Sequence, residues 1–153
     1  NSSHVSISYA VFCLKKKISK VMLADEKVVV WGSGEEERDL LHIDDLTNFV
    51  DMAINNQESK YALYNCGLGK AVSIKDLVHK IVNYSGKKLK IEHDLSQPTI
   101  KTSLFLDCSK AKEELGWEPK VNLDEGIKDT LSWWKENIDP QTLKLKETSD
   151  VVL

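Results

Sequence analysis

The amino-acid sequence predicts an α/β fold, because β-branched runs alternate along the chain with stretches of helical periodicity, and glycines or capping residues fall between them. Two segments carry most of that prediction. Val28, Val29, Val30 and Trp31 form a short apolar run that stops at Gly32-Ser33-Gly34, the pattern of a buried strand entering a loop. Ile74, Leu77, Val78, Ile81 and Val82 recur at helical spacing behind Ser73. Asp76 stands three residues after that serine and Gly86 closes the run, as in a capped amphipathic helix. The 153 residues, 41% apolar and 29% charged, suit one folded core.

Taken in order, residues 5–23 carry apolar side chains with helical returns, and Lys15, Lys16 and Lys17 supply the wet face of a helix. The strand at 28–31 leads to a charged turn over 35–38. Leu40, Leu41 and Ile43 are expected to form a short strand. Asp44 and Asp45 then provide an N-cap and first-turn negative charge for a helix that turns Leu46, Phe49, Val50, Ala53 and Ile54 inward. Residues 61–66 alternate loosely and end at Gly67-Leu68-Gly69, which reads as a strand and a turn. After the helix that begins at Ser73, a strand is expected at 89–92. A polar loop with Pro98 follows over 96–103, and 104–106 is extended. Ser109 caps a short helix that stops at Gly116, and Glu118-Pro119 makes a turn. An amphipathic helix over 124–138 buries Ile127, Leu131 and Trp134. The remainder, 140–153, is expected to be a solvated, mobile tail.

Composition narrows the function. Twenty-one basic against 24 acidic residues give a net charge of −3, which lacks the basic footprint of a nucleic-acid binder. No run approaches the roughly eighteen apolar residues of a membrane span, and the apolar stretch near the start lacks the flanks of a leader peptide. A cytoplasmic protein is the expectation. Cys13, Cys66 and Cys108 form no CxxC pair and read as reduced thiols. His4, His42, His79 and His93 are too dispersed for a metal site, and no nucleophile elbow is present. Neither glycine pair is a dinucleotide fingerprint. Gly32-Ser33-Gly34 runs into Glu35, Glu36 and Glu37, which would repel a phosphate, and Gly67-Leu68-Gly69 has no third glycine before the helix. Asp44 and Asp45 read as capping acids, and Trp117, Trp133 and Trp134 as packing residues.

The stretch VVVWGSGEEERDLLHIDDL over 28–46 and the stretch LDCSKAKEELGWEPKVNLDEGIKDTLSWWKEN over 106–137 resemble the C-terminal part of the extended short-chain dehydrogenase/reductases that act on nucleotide-diphosphate sugars. The likeness covers about 130 residues. Within that family it runs closest to the enzymes that epimerise and then reduce a GDP-4-keto-6-deoxyhexose.

Taken by themselves, His4 is a residue at a helix start, Arg38 a surface partner for Glu35, Glu36, Glu37 or Asp39, and Val5, Tyr9 and Trp31 packing residues. The resemblance implies more. It makes His4 the acid/base that exchanges protons at the sugar carbons, a task suited to an imidazole whose ordinary pKa is about 6.5. Arg38 becomes the planar fork on the diphosphate, Trp31 a surface beside the base, and Val5 and Tyr9 part of the nucleotide pocket. Gln97 stands where the family carries a cation before Pro98, with Lys101 able to supply the charge instead. Ser6-Ile7-Ser8 and Tyr9 depart from the family pattern.

The same resemblance implies an N-terminal Rossmann half with a GxxGxxG turn and Ser and Tyr-xxx-Lys groups. No such segment precedes Asn1, so the chain is expected to be the C-terminal, substrate-binding portion of a longer enzyme, with no turnover of its own. In that enzyme NADP or NAD is held mainly by the Rossmann half. Residues 1–56 would complete the Rossmann edge and the cleft, and 57–139 would form a small α/β substrate-binding domain. The implied ligand is a nucleotide-diphosphate sugar, GDP-linked, and the implied assembly a homodimer. A related 4-epimerase or 4,6-dehydratase, which needs no His4, and a non-catalytic binding remnant are the other readings.

Overall fold

The computed structural model describes residues 14, 16–98, 102–138 and 140–141. Residues 16–23 are helical, and the elements after them are β1 (Lys27–Trp31), β2 (Glu37–Asp39), α1 (Ile43–Asn56), β3 (Ala71–Ser73), α2 (Ile74–Ser85), β4 (Lys90–Asp94), α3 (Ser109–Leu115) and α4 (Leu123–Asn137). β1 and β4 pair in parallel with Lys27 opposite Lys90 and Trp31 opposite Asp94. β2 and β3 pair antiparallel with Arg38 opposite Val72. No helix among the described residues is long and apolar enough to cross a membrane.

Two apolar clusters organise these elements. The first is mainly aliphatic, with Trp134 as its one buried aromatic member among the described residues. Ile18 and Val21 of the first helical stretch, Val28 and Val30 of β1, Leu77 and Ile81 of α2, and Ile127 and Leu131 of α4 meet in it. Alternation on β1 puts Val28 and Val30 inside and leaves Lys27, Val29 and Trp31 outside. The second cluster is small and aromatic. Cys66, Ala111, Leu115 and Trp117 are buried there between α1 and α3, and Phe49 meets the Trp117 ring edge-on at 5.1 Å and 77°.

The end signals of α2 and α4 work as the residues suggest. Ser73 Oγ accepts the Asp76 N–H at 3.0 Å, and Gly86 takes the left-handed conformation at φ 75°. Asn122 and Glu125 form a reciprocal capping box, so α4 begins one residue ahead of the expected Asp124.

Elsewhere the structure corrects the sequence reading. The expected turn over 35–38 contains the start of β2, and the strand expected at Leu40, Leu41 and Ile43 does not form, because the ladder with β3 uses Glu37–Asp39 and Ile43 is the first residue of α1. His42, not Asp44, caps α1: its Nδ1 accepts the Asp44 N–H at 3.3 Å. Val50 and Ile54 lie on the outer side of α1, Ile54 77% exposed, while Leu46, Phe49 and Ala53 face the aromatic cluster. Residues 61–66 alternate in burial but join no ladder among the described residues. Ser109 is the first residue of α3 rather than its cap, and its N–H donates to Asp107 Oδ1 at 3.0 Å. Most of the helix expected over 5–23, and the tail beyond 141, lie outside the described residues.

Candidate functional site

The carboxyl ends of β1 and β4 meet at one place, the end of a parallel pair where α/β proteins take their ligands. Trp31 closes β1 there and is 54% exposed. Opposite it, Asp94 organises the following turn. Its carbonyl accepts the Gly32 N–H at 2.8 Å. Its carboxylate accepts Ser96 Oγ–H at 2.6 Å, Ser96 N–H at 3.1 Å and Gln97 Nε2–H at 3.1 Å. These bonds, led by the Ser96 hydroxyl and then Gln97, hold the Asp94 carboxyl below its usual range. Trp31 and Gln97 are thus brought to one end of the sheet by the same aspartate.

Arg38 lies on β2. Its Nη1 donates to Glu37 O at 2.8 Å and to Thr102 Oγ1 at 2.6 Å. Both acceptors are uncharged, so they orient the guanidinium without cancelling its charge. A feature the motif reading passed over reinforces the point: Arg38 is the one arginine in the whole sequence, all twenty other Lys/Arg positions being lysine. A planar two-pronged donor stands only here. Thr102 follows Gln97 by five residues in the sequence.

Two aspartates, Asp39, read from the sequence only as a surface partner for Arg38, and Asp45, read as a capping acid, hold the surrounding loops. The Asp39 carboxylate accepts the N–H groups of Leu68 at 2.6 Å, Gly69 at 3.0 Å and Leu106 at 3.0 Å. The glycine turn at 67–69 therefore does gather an anion, and the anion is the protein's own side chain. Those amides are not available to a dinucleotide pyrophosphate, so the turn does not fit that part of NAD(P). Asp45, 3% exposed, accepts Lys120 N–H and Val121 N–H at 2.9 Å each, while its carbonyl takes the Trp117 indole N–H at 3.2 Å. The paired acids at the start of α1 thus divide: Asp44 faces water, and Asp45 anchors the loop before α4 rather than capping its own helix. Only the side-by-side acids hinted at this.

Among the described residues, neither cysteine is set up as a nucleophile. Burial pushes the Cys66 thiol up to about 12, with the nearby Cys108, Asp45 and Asp39 adding to the shift, and burial also raises Cys108. Among the described residues no group of His, Cys, Asp or Glu is placed to hold a metal ion. His4, Val5, Tyr9, Cys13 and Lys101 lie outside the described residues.

Solved structures share this fold. The UDP-glucose 4-epimerase of Thermotoga maritima, solved with UDP-glucose, superposes with a TM-score of 0.71 at 29% identity, over 82% of this chain and 40% of its own. The WbmF enzyme of Bordetella bronchiseptica, solved with NADH, gives 0.74 at 25% identity, over 89% and 40%. The fold is that of a C-terminal portion of a Rossmann-type short-chain dehydrogenase/reductase.

More narrowly, the sequence model of the family described as GDP-mannose 4,6 dehydratase matches residues 8–130, and the chain belongs to that family. Among named relatives, a protein described as putative GDP-L-fucose synthase 2 of Arabidopsis thaliana is 38% identical over 120 residues, which are 78% of this chain and 36% of the relative. The chain spans little more than a third of that relative's length.

Proposed function

We propose that the chain is the nucleotide-sugar-binding portion of an NAD(P)-dependent epimerase-reductase of the GDP-L-fucose synthase kind, acting on GDP-4-keto-6-deoxymannose by 3,5-epimerisation and 4-reduction. One observation carries the reading: the sole arginine, Arg38 on β2, is oriented by the uncharged Thr102 Oγ1 and Glu37 O. A guanidinium so held presents its remaining N–H groups to a diphosphate, and such a charge-assisted bond contributes about 1.5–3 kcal/mol. Trp31 offers the base a flat apolar surface, Gln97 and Lys101 meet the phosphates, and Val5 and Tyr9 line the pocket. His4 exchanges the protons at the sugar carbons as acid and base.

In this reading NADP or NAD supplies the hydride and is held by a Rossmann half. Residues 1–56 border that half, 57–139 form the substrate-binding unit, and the complete enzyme is a cytoplasmic homodimer. The isolated 153 residues bind the nucleotide sugar and do not oxidise NADPH.

Titration calorimetry with GDP and UDP tests this. GDP is expected to bind more tightly than UDP, and Arg38→Ala to weaken GDP about 10- to 100-fold. Unchanged affinity in Arg38→Ala would overturn the diphosphate assignment. Preference for UDP would favour a 4-epimerase instead, the alternative that the UDP-glucose complex of the Thermotoga relative supports.

A further inference from the structure

We propose that Asp39 is the positioning residue for Arg38, setting the guanidinium through the loop that carries Thr102 without itself touching ligand. The inference rests on the reading of Arg38 as the diphosphate-binding cation. Arg38 and Asp39 are consecutive on β2, so their side chains leave opposite faces of the strand. The bond from Leu106 N–H to Asp39, 3.0 Å long, is the informative one. Residues 102–106 have no regular structure, and they are tied to β2 at both ends. At one end Glu37 N–H donates to Thr102 O at 2.8 Å, and at the other Leu106 N–H donates to Asp39. Arg38 reaches Thr102 Oγ1 on this tethered stretch. The same Asp39 carboxylate also holds Leu68 N–H and Gly69 N–H. It cannot rotate to follow one donor without losing another.

The chain reserves room for this carboxylate. A Cβ on Gly67 would stand 2.6 Å from Asp39 Oδ2. Gly67 does not have a positive φ, so close approach, and not backbone conformation, is what requires glycine there.

The test uses the ¹⁵N-labelled chain, with GDP and guanosine as probes. Because Arg38 is the only arginine, its Nε–H signal needs no assignment strategy. Asp39→Asn is expected to collapse the chemical-shift dispersion and order of that signal. The Trp134 indole N–H, bonded to Ser19 Oγ at 3.1 Å on the far cluster, should stay in place. GDP affinity should fall about tenfold with guanosine affinity unchanged, and Asp39→Asn should add nothing in an Arg38→Ala background. If the asparagine variant does not fold, Gly67→Ala displaces the carboxylate while keeping its charge, and the same signal is read.

An Arg38 signal unmoved in either folded variant overturns the proposal. So does an Asp39→Asn loss in GDP affinity that is as large without Arg38 as with it. Failure of the unsubstituted chain to bind GDP, or normal binding by Arg38→Ala, would remove the diphosphate reading, while the ligand-free spectra still decide whether Asp39 sets Arg38.

Discussion

The two apolar clusters are held together in different ways. Around Ile81 and Ile127 the contacts are mainly aliphatic, with the buried Trp134 indole bonded to Ser19 Oγ at 3.1 Å, and the ion pair between α2 and α4, Lys80–Asp124 at 2.7 Å, sits at the half-exposed rim. Around Trp117 the apolar area is small, and one buried and several half-buried polar bonds complete it. Asp45 collects two loop amides, the Trp117 indole donates to the Asp45 carbonyl, and Asn56 Nδ2–H reaches Leu115 O at 2.9 Å. A large cluster is stabilised mainly by area removed from water. A small one depends on satisfying every buried donor, because an orphaned amide costs about 1–3 kcal/mol.

That contrast can be broken by substitution. Trp117→Ala removes a fully buried ring and the Asp45 carbonyl's partner, and is expected to cost about 4 kcal/mol in urea unfolding. Asp45→Ala, which deletes little volume, should still cost about 3 kcal/mol by stranding the Lys120 and Val121 amides. A loss under 1 kcal/mol would show the second cluster to be held by area after all. Ile81→Val in the aliphatic cluster should cost about 1 kcal/mol.

The smallest effect is the rim pair. Lys80 holds the Asp124 carboxyl below its usual range. Because the folded value lies under the unfolded one, the stabilisation is complete at neutral pH and is lost as pH falls below about 4. Both groups are substantially exposed, so Lys80→Met should cost under about 0.5 kcal/mol at pH 7 and progressively less as pH falls below about 4, read from paired unfolding curves.

The same division governs what the residues disclosed in advance. α2 was legible from end to end, since its stripe, its Ser73 cap and its Gly86 stop are all local signals. β2 was not, because Glu37, Arg38 and Asp39 have no strand character and become a strand only by meeting Ala71–Ser73. On α1 the apolar positions included Val50 and Ile54, and periodicity alone did not say which side of the helix packs. Asp39 and Asp45 act across gaps of 29 to 76 residues, which no local pattern records. Trp31, Arg38 and Gln97 were singled out by resemblance, and the structure adds the aspartate, the threonine and the turn that hold them.

The parallel pairing of β1 with β4 also bears on synthesis. Lys27 stands opposite Lys90, so the ladder closes only after some sixty further residues have been made. At ribosomal speeds of about 5–20 residues per second, β1 emerges roughly 3 to 13 seconds before its partner. During that interval its apolar ribbon is an open edge, guarded on one side by Lys27 and on the other by the glutamates at 35–37. A translational pause after β1 has emerged and before β4 has done so would lengthen the exposure and raise the aggregated fraction of newly made chains, whereas a pause after both strands have emerged would leave it unchanged.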